Sequence, residues 1–255
     1  MRTYTTEAIV LKRFNLGEAD RVLTLYTADR GRVSAIVRGS RKPSSRLGGH
    51  VELFSVSQLT LREGKTFDLV TAAALSVPHR GLAEKVERTH AAHFVAEAVL
   101  QLTVEAVVID RLFALVSATL AYLDQAHKPA GILAGFQVKL LTLLGHQPVI
   151  DRCVHCDTQF AAATDRPVVG FDLVHGGLVC SVDAAELGHG LIPCSTAGQQ
   201  ALARLLGEPM HETQQQLPGF REASRIIEQA VLTQTERPLK SRAFLTLTAD
   251  SSHAA

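Results

Sequence analysis

Thr5-Thr-Glu-Ala-Ile-Val-Leu-Lys-Arg-Phe14 and Arg21-Val-Leu-Thr-Leu-Tyr-Thr27, linked through Asn15-Leu16-Gly17, set the character of the N-terminal part of the chain. β-Branched and aromatic residues are frequent, and apolar positions recur with a period close to two, which predicts strands. The pattern returns at Arg32–Arg38, Val51–Arg62 and Thr66–Leu75. The links at Asn15-Leu16-Gly17, Asp29-Arg30-Gly31 and Glu63-Gly64-Lys65 are short and contain glycine, as hairpin loops often do. Five antiparallel strands in about 75 residues predict a small closed or nearly closed barrel. An OB-fold is the natural candidate, because it is a five-stranded barrel that commonly binds oligonucleotides; the pattern alone does not separate it from an SH3-like barrel.

The longest link in this module is basic. Between Arg30 and Arg46 stand six cations (Arg30, Arg32, Arg38, Arg41, Lys42, Arg46) and no acidic residue. Like charges placed close together repel, so a solvated face usually mixes both signs. A one-sign, arginine-rich cluster with small residues between suits a surface that meets phosphates. The plainer alternative is a flexible basic loop with no partner. Residues 1–80 hold 13 Lys/Arg against 7 Asp/Glu, a net +6, while the whole chain of 255 residues is only +1. The positive charge therefore belongs to one module. Lys12 and Arg13 are neighbours on the first strand, so one of them is expected to face out, and Arg21, Arg32 and Arg38 stand at strand ends. Tyr4, Phe14, Tyr26, Phe54 and Phe67 are the aromatic residues here, with barrel core the main expected role and base stacking the alternative.

From Leu82 the apolar spacing becomes helical. Glu84–Glu105, Ile109–Gln125, Ala130–Gly145, Ser195–Leu206, Pro218–Glu236 and Leu239–Leu247 are the predicted helices, with Pro129 opening the third and Gly145 closing it. His90 and His93 could offer two ligands on one helix face, but no third stands nearby, so ordinary histidines are expected. Arg221, Arg225, Lys240 and Arg242 are weaker candidates for a second cationic patch. Arg221 and Arg225 share a helix face, and Arg225 could equally pair with Glu222 or Glu228. The chain thus divides into a barrel (1–79), a helical domain in two parts (80–148 and 195–250), an insertion (149–194) and a tail (251–255) expected to be disordered.

The insertion carries all four cysteines. Cys153-Val-His-Cys156 has the spacing of two thiolates at a tight turn, and the Gly176-Gly177 turn could bring Cys180 alongside. Asp183 stands where a regular ribbon would have its fourth cysteine. Carboxylate is an acceptable zinc ligand, so Cys153, Cys156, Cys180 and Asp183 could close a tetrahedron around a structural Zn2+; Cys194, His175 or His155 could replace Asp183. A knuckle that folds without metal is the alternative. Four cysteines are too few for a disulfide scaffold, and a reducing cytoplasm fits them. No apolar run approaches the roughly 20 residues of a membrane span, and Met1-Arg-Thr-Tyr4 leads straight into a strand pattern with no signal peptide in view.

At this point the residues match a family. Glu7-Ala-Ile-Val-Leu-Lys12, Gly17-Glu-Ala-Asp-Arg21-Val-Leu-Thr-Leu-Tyr-Thr27, Gly31-Arg-Val-Ser-Ala35, Arg38-Gly-Ser-Arg41 and Ser45-Arg46-Leu47 resemble the opening of the bacterial RecO recombination mediators. The resemblance continues through Leu143-Leu-Gly-His-Gln-Pro148, Cys153 and Cys156, Gly176-Gly177 and Cys180, to Leu239-Lys-Ser-Arg-Ala-Phe244-Leu245. Asp183 departs from it, since many members have cysteine there. The resemblance implies an N-terminal OB-fold, a helical domain and a zinc-type insertion. It also implies binding to single- and double-stranded DNA, strand annealing and partnership with RecR. With RecR, such proteins help RecA replace single-strand-binding protein on DNA. A cytoplasmic, nucleoid-associated place and no enzymatic activity or nucleotide use go with it.

The sequence carries no Gly-x-x-x-x-Gly-Lys-Ser/Thr loop, no dinucleotide fingerprint and no Gly-x-Ser-x-Gly elbow. A zinc hydrolase or deaminase would need a His-x-Glu element facing Pro-Cys-x-x-Cys, and neither is present. The rival that remains is a protein-interaction adaptor that touches DNA little, with the acidic remainder of the chain as its contact surface.

Overall fold

In the computed structural model, residues 2–160, 165–235 and 237–241 are described. The fold class is α+β. Strands β1 (Thr3–Leu16), β2 (Asp20–Thr27), β3 (Gly31–Val37), β4 (Val56–Arg62) and β5 (Asp68–Val77) close into a barrel of order β1-β2-β3-β5-β4. Neighbours are antiparallel except β3 and β5, which run parallel at Ala35–Asp68 and Ile36–Leu69. This order, with the two hairpins joined through a parallel contact, makes the barrel OB-like.

Alternation builds the barrel core. Ala8, Val10, Leu23, Leu25, Ala35, Val37, Leu59, Leu61 and Val70 point inward and are fully or almost fully buried. The opposite face of β1 is also buried at Ile9 and Leu11, and helix α1 (Val86–Leu102) packs against this strand. A shift of register between Val10 and Lys12 interrupts the alternation. A bulge of this kind turns the strand locally, and from Lys12 to Leu16 every side chain is exposed. Lys12 and Arg13 therefore both reach solvent, where simple alternation predicts one.

The fourth strand starts later than its apolar pattern suggests. Val51 does enter the core, but the chain there is a 3-10 turn (Gly48–His50) followed by irregular backbone, and β4 begins only at Val56. Phe54 adopts a left-handed conformation (φ 66°). Its N–H donates to the Val10 carbonyl at 2.8 Å, and Ser55 accepts from the Val10 N–H at 3.1 Å. Apolar residues at 51, 53 and 54 are thus placed by turns, a solution that a period-two reading cannot distinguish from a strand.

The chain forms two compact units, one running from Met1 to Gln125 and taking in the segment from Leu239, the other Ala126–Pro238. The sequence reading joins the first three helices in one domain. Here α1 and α2 (Leu112–Gln125) belong with the barrel, while α3 (Ala130–Leu143) packs with α5 (Thr196–Gly207) and α6 (Phe220–Thr233) in the second unit. The N-terminus of α5 is capped by Ser195, whose Oγ accepts from Gly198 N–H at 3.2 Å and donates to Glu222. In the insertion, β6 (Val168–Asp172), β7 (Gly177–Cys180) and β8 (Ile192–Pro193) form a small sheet of order β7-β6-β8. A short helix, α4 (Ser181–Leu187), follows β7; with no buried residue it has no apolar stripe to announce it. Of the last predicted helix, Leu239–Ser241 is non-helical and is held by Glu97, whose carboxylate accepts from the Lys240 and Ser241 N–H groups and the Ser241 hydroxyl. The remainder, with the tail, lies outside the described residues. No helix among the described residues is long and apolar enough to cross a membrane.

Candidate functional site

The basic loop is built as an ordered feature of the barrel. After β3 the chain turns at Gly39 (φ 65°), and the Gly39 N–H donates to Asp20 Oδ1 at 2.7 Å. Arg41 is held twice: its N–H donates to the Ala19 carbonyl at 3.0 Å and its Nη1 to the Gly17 carbonyl at 2.9 Å. Lys42 closes a turn onto Gly39, Ser45 a second onto Lys42, and Ser45 Oγ accepts from the N–H groups of Leu47 and Gly48. The loop is thereby docked on the β1–β2 turn by its own backbone, leaving Arg38, Arg41, Lys42 and Arg46 exposed.

The other cations of the barrel divide by environment. Lys12 is exposed on β1, opposite Thr24. Arg13 and Arg21 converge on one carboxylate, Glu52, with Arg21 Nη1 at 3.1 Å from Oε1 and Arg13 paired to Oε2. One acid against two arginines leaves a net positive charge at that spot. Arg30, by contrast, is spent on Glu63 at 3.3 Å and on the face of Tyr4, with its guanidinium carbon 3.7 Å from the ring centroid. Arg32 is half-buried, and its Nη1 donates to the Leu100 carbonyl at 2.5 Å, in the last turn of α1. An arginine holding the last carbonyls of a helix satisfies acceptors the helix cannot, so Arg32 has a structural task that its sequence position conceals. Sequence reasoning passed over Glu52 and Asp20, the two acids that bond Arg13, Arg21 and the Gly39 N–H; both lie outside the acid-free stretch, and no local pattern marks them.

Among the aromatic candidates, Tyr4, Tyr26 and Phe54 are buried, and Phe54 meets His93 edge-on at 5.0 Å. Phe67 is half-buried and Phe14 is exposed. Arg221 and Arg225 lie exposed on α6 in the second unit, whereas Lys240 belongs to the first. The Glu222 carboxylate serves the cap of α5 through the Ser195 N–H at 2.7 Å. Arg242 lies outside the described residues.

The insertion brings Cys153, Cys156, Cys180 and Asp183 together. The Cys153–Cys156 turn is closed by the Cys153 N–H on the Thr158 carbonyl (2.9 Å) and by Asp157 N–H on the Cys153 carbonyl (3.0 Å). Val154 N–H then ties the turn to β7 through the Leu178 carbonyl at 3.0 Å. Cys180 ends β7 and stands at the N-cap position of α4, without a side-chain capping bond, and Asp183 sits in the first turn of that helix. The missing second cysteine is thus replaced by a carboxylate one helical turn along. The Cys156 and Cys180 sulfurs are 3.8 Å apart, and Asp183 Oδ2 lies 3.4 Å from the Cys180 sulfur and 2.8 Å from that of Cys153. A tetrahedral ion about 2.3 Å from sulfur and about 2.0 Å from oxygen has S···S edges near 3.8 Å and S···O edges near 3.5 Å, so the donor set could hold a metal ion. The Cys156–Cys180 and Cys180–Asp183 edges match, and the Cys153–Asp183 contact is the shorter one of a hydrogen bond. Burial, and after it the hydrogen bond to Asp183, pushes the Cys153 thiol up to about 11.

The other suggested ligands go elsewhere. Cys194 is buried near Glu222, and burial first, then that carboxylate, pushes its thiol up to about 12. His155 and His175 instead meet Asp172: His155 Nε2 is 2.9 Å and His175 Nδ1 2.7 Å from Oδ2. Asp172 Oδ1 accepts from Val174 N–H (2.8 Å) and His175 N–H (3.2 Å), pinning the β6–β7 turn. Burial works against this carboxylate, but the bonds from His175, from its backbone and from His155 prevail and hold it at about 2.

Comparison with known proteins places these features in one lineage. Residues 1–78 match the family described as "Recombination protein O N terminal" and residues 83–243 "Recombination protein O C terminal". The DNA repair protein RecO of Pelotomaculum thermopropionicum is 35% identical over 249 residues, covering 96% of this chain and 94% of that protein. The protein of that name from Roseiflexus sp. is 34% identical over 209 residues, covering 82% and 72%. That from Nocardioides sp. is 31% identical over 245 residues, covering 95% and 98%. With both halves matched and relatives aligned along almost the whole length, the chain belongs to the RecO family of DNA repair proteins.

Proposed function

We propose that this chain is a DNA-binding recombination mediator: it binds single- and double-stranded DNA, anneals complementary strands, and with RecR promotes RecA loading onto DNA coated by single-strand-binding protein. It acts by binding, with no catalytic step of its own. The observation that carries this reading is the basic loop docked on the β1–β2 turn, which leaves Arg38, Arg41, Lys42 and Arg46 exposed, with Lys12 exposed on β1. Cations fixed on a rigid support neutralise phosphates without the cost of ordering a loop. Bringing two like-charged strands together requires such neutralisation on both, for which Arg221, Arg225, Lys240 and Arg242 are the further candidates. Arg13 and Arg21 contribute the charge left over from Glu52.

In this reading Cys153, Cys156, Cys180 and Asp183 hold a structural Zn2+. The ion ties the Cys153–Cys156 turn to β7 and α4 and does no chemistry on DNA. Annealing of complementary oligonucleotides is the test. Arg41→Glu with Lys42→Glu should abolish annealing at physiological salt while the protein stays folded; annealing that survives would move the active surface elsewhere.

A further inference from the structure

We propose that the exposed apolar end of the β1–β2 hairpin, Phe14 with Leu16, is a stacking surface for unpaired bases and gives this barrel a preference for single-stranded over duplex DNA. The inference rests on the DNA-binding reading above and adds to it the part of the ligand that is read besides phosphate.

Phe14 is 46% and Leu16 43% exposed, although apolar residues on the strands of this barrel are otherwise mostly inside. Their setting is regular strand. Lys12 pairs with Thr24, Phe14 with Val22 and Leu16 with Asp20. Directly paired residues share a face, and alternate residues on a strand do so too. Lys12, Phe14 and Leu16 therefore line one face of the hairpin. Val22, directly opposite Phe14 on that face, is 2% exposed, so burial stops one rung before the tip. Leaving two large apolar side chains in water forgoes their hydrophobic stabilisation, and grouped exposure of this kind marks a contact surface.

The setting of the tip names the occupant. The basic loop is bonded to this same turn through Gly39 N–H to Asp20, Arg41 N–H to Ala19 and Arg41 Nη1 to Gly17. Exposed Arg41 and its neighbours Arg38 and Lys42 thus border the apolar end on one side, and Lys12 on its own face, against two acids at the turn: exposed Glu18, and half-buried Asp20 opposite Leu16, whose carboxylate accepts from the Gly39 N–H. An apolar ring within a cationic border complements a chain of anions that carries flat apolar rings. A single strand has both and exposes the ring faces. A duplex hides them in its stack and offers phosphates alone. Stacking on an aromatic side chain is tolerant of sequence, as suits a protein that must act wherever a gap arises.

The test uses the full chain with three ligands of equal length: oligothymidine, an abasic deoxyribose-phosphate strand and a duplex. Wild type should bind oligothymidine more tightly than the abasic strand. Phe14→Ala should weaken oligothymidine binding by roughly 10-fold, abolish the preference over the abasic strand, and leave duplex affinity and the salt slope as they were. Phe14→Tyr should keep the preference. Equal wild-type affinity for thymidine and abasic strands would overturn the inference, as would a Phe14→Ala variant that binds all three ligands normally. In either case, loss of binding in the Arg41→Glu/Lys42→Glu variant would show that the phosphate-contact reading still stands. Wild type that binds none of the three sinks both. Because both tip residues are exposed, unchanged thermal unfolding of the variants is expected and separates a lost contact from a lost fold.

Discussion

The basic loop of the barrel and the cysteine insertion are both irregular segments held in one shape, and they place their ionisable groups in opposite directions. The loop is held by backbone bonds to Ala19 and Asp20 and by Arg41 on the Gly17 carbonyl, and its cations, Arg41 among them, are exposed. The insertion turns three thiols and a carboxylate toward one another. Charge that faces outward on a rigid support is available to a partner. Donors that converge inward, and would repel once ionised, could hold a cation between them. The difference teaches where to look for activity and where for stability in this chain, and each assignment has a distinct failure.

The largest effect is expected from Cys180→Ala. Metal content, read by mass spectrometry on the purified protein, should fall from one ion per chain to none, with segment 149–194 opening to protease and a loss of about 5 kcal/mol or more. DNA affinity of the barrel should hold, and a parallel loss of DNA binding would break the division of roles. Asp183→Asn should weaken the metal by at least the roughly 100-fold that loss of an outer-sphere partner can cost, whereas Asp183→Cys should restore tight binding. Equal metal affinity in all three proteins would remove Asp183 from the ligand set.

A smaller effect separates the two kinds of arginine. Arg32→Ala removes a charged donor from the Leu100 carbonyl and should destabilise the first unit by about 2 kcal/mol in denaturant unfolding, with the salt slope of DNA binding unchanged. Lys42→Ala should do the reverse, lowering that slope by about 1 with no change in stability. The smallest effect concerns Asp172. Its carboxyl is held at about 2 in the fold, below the roughly 3.9 of an unfolded chain. Its contribution is therefore fully present above about pH 4 and is lost as pH falls toward 2. In the metal-free protein, Asp172→Asn should flatten the loss of stability across that acid window; an unaltered profile would mean that the histidine bonds do not hold the β6–β7 turn.

How far all this is legible in sequence depends on the range of the interactions. Period-two alternation marks the strands because each buries one face, and it loses its way where the chain places Val51 and Phe54 by turns. Helix α4 is invisible because nothing on it is buried, although its first turn is what carries Asp183 to the cysteines. Spacing does bring out Cys153, Cys156 and Cys180 as donors, since tight turns are local; it leaves the fourth open because helix or loop after Cys180 decides it. The basic stretch is legible as charge, yet not as a docked loop, for the acceptors on Gly17, Ala19 and Asp20 lie about twenty residues back. Arg32 is the extreme case. Its partner carbonyl is 68 residues away, and no local rule connects them.

The central claim is that the docked basic loop meets phosphates. Affinity for a fluorescent single strand and for a duplex, measured across a salt series on wild type and on Arg41→Glu/Lys42→Glu, tests it most directly. The account predicts tight wild-type binding with a steep fall in salt, and a variant that loses on the order of 100-fold at low salt with a slope lower by about 2. A variant that binds both ligands with the wild-type affinity and slope would contradict it, and would leave this surface without a role in DNA binding.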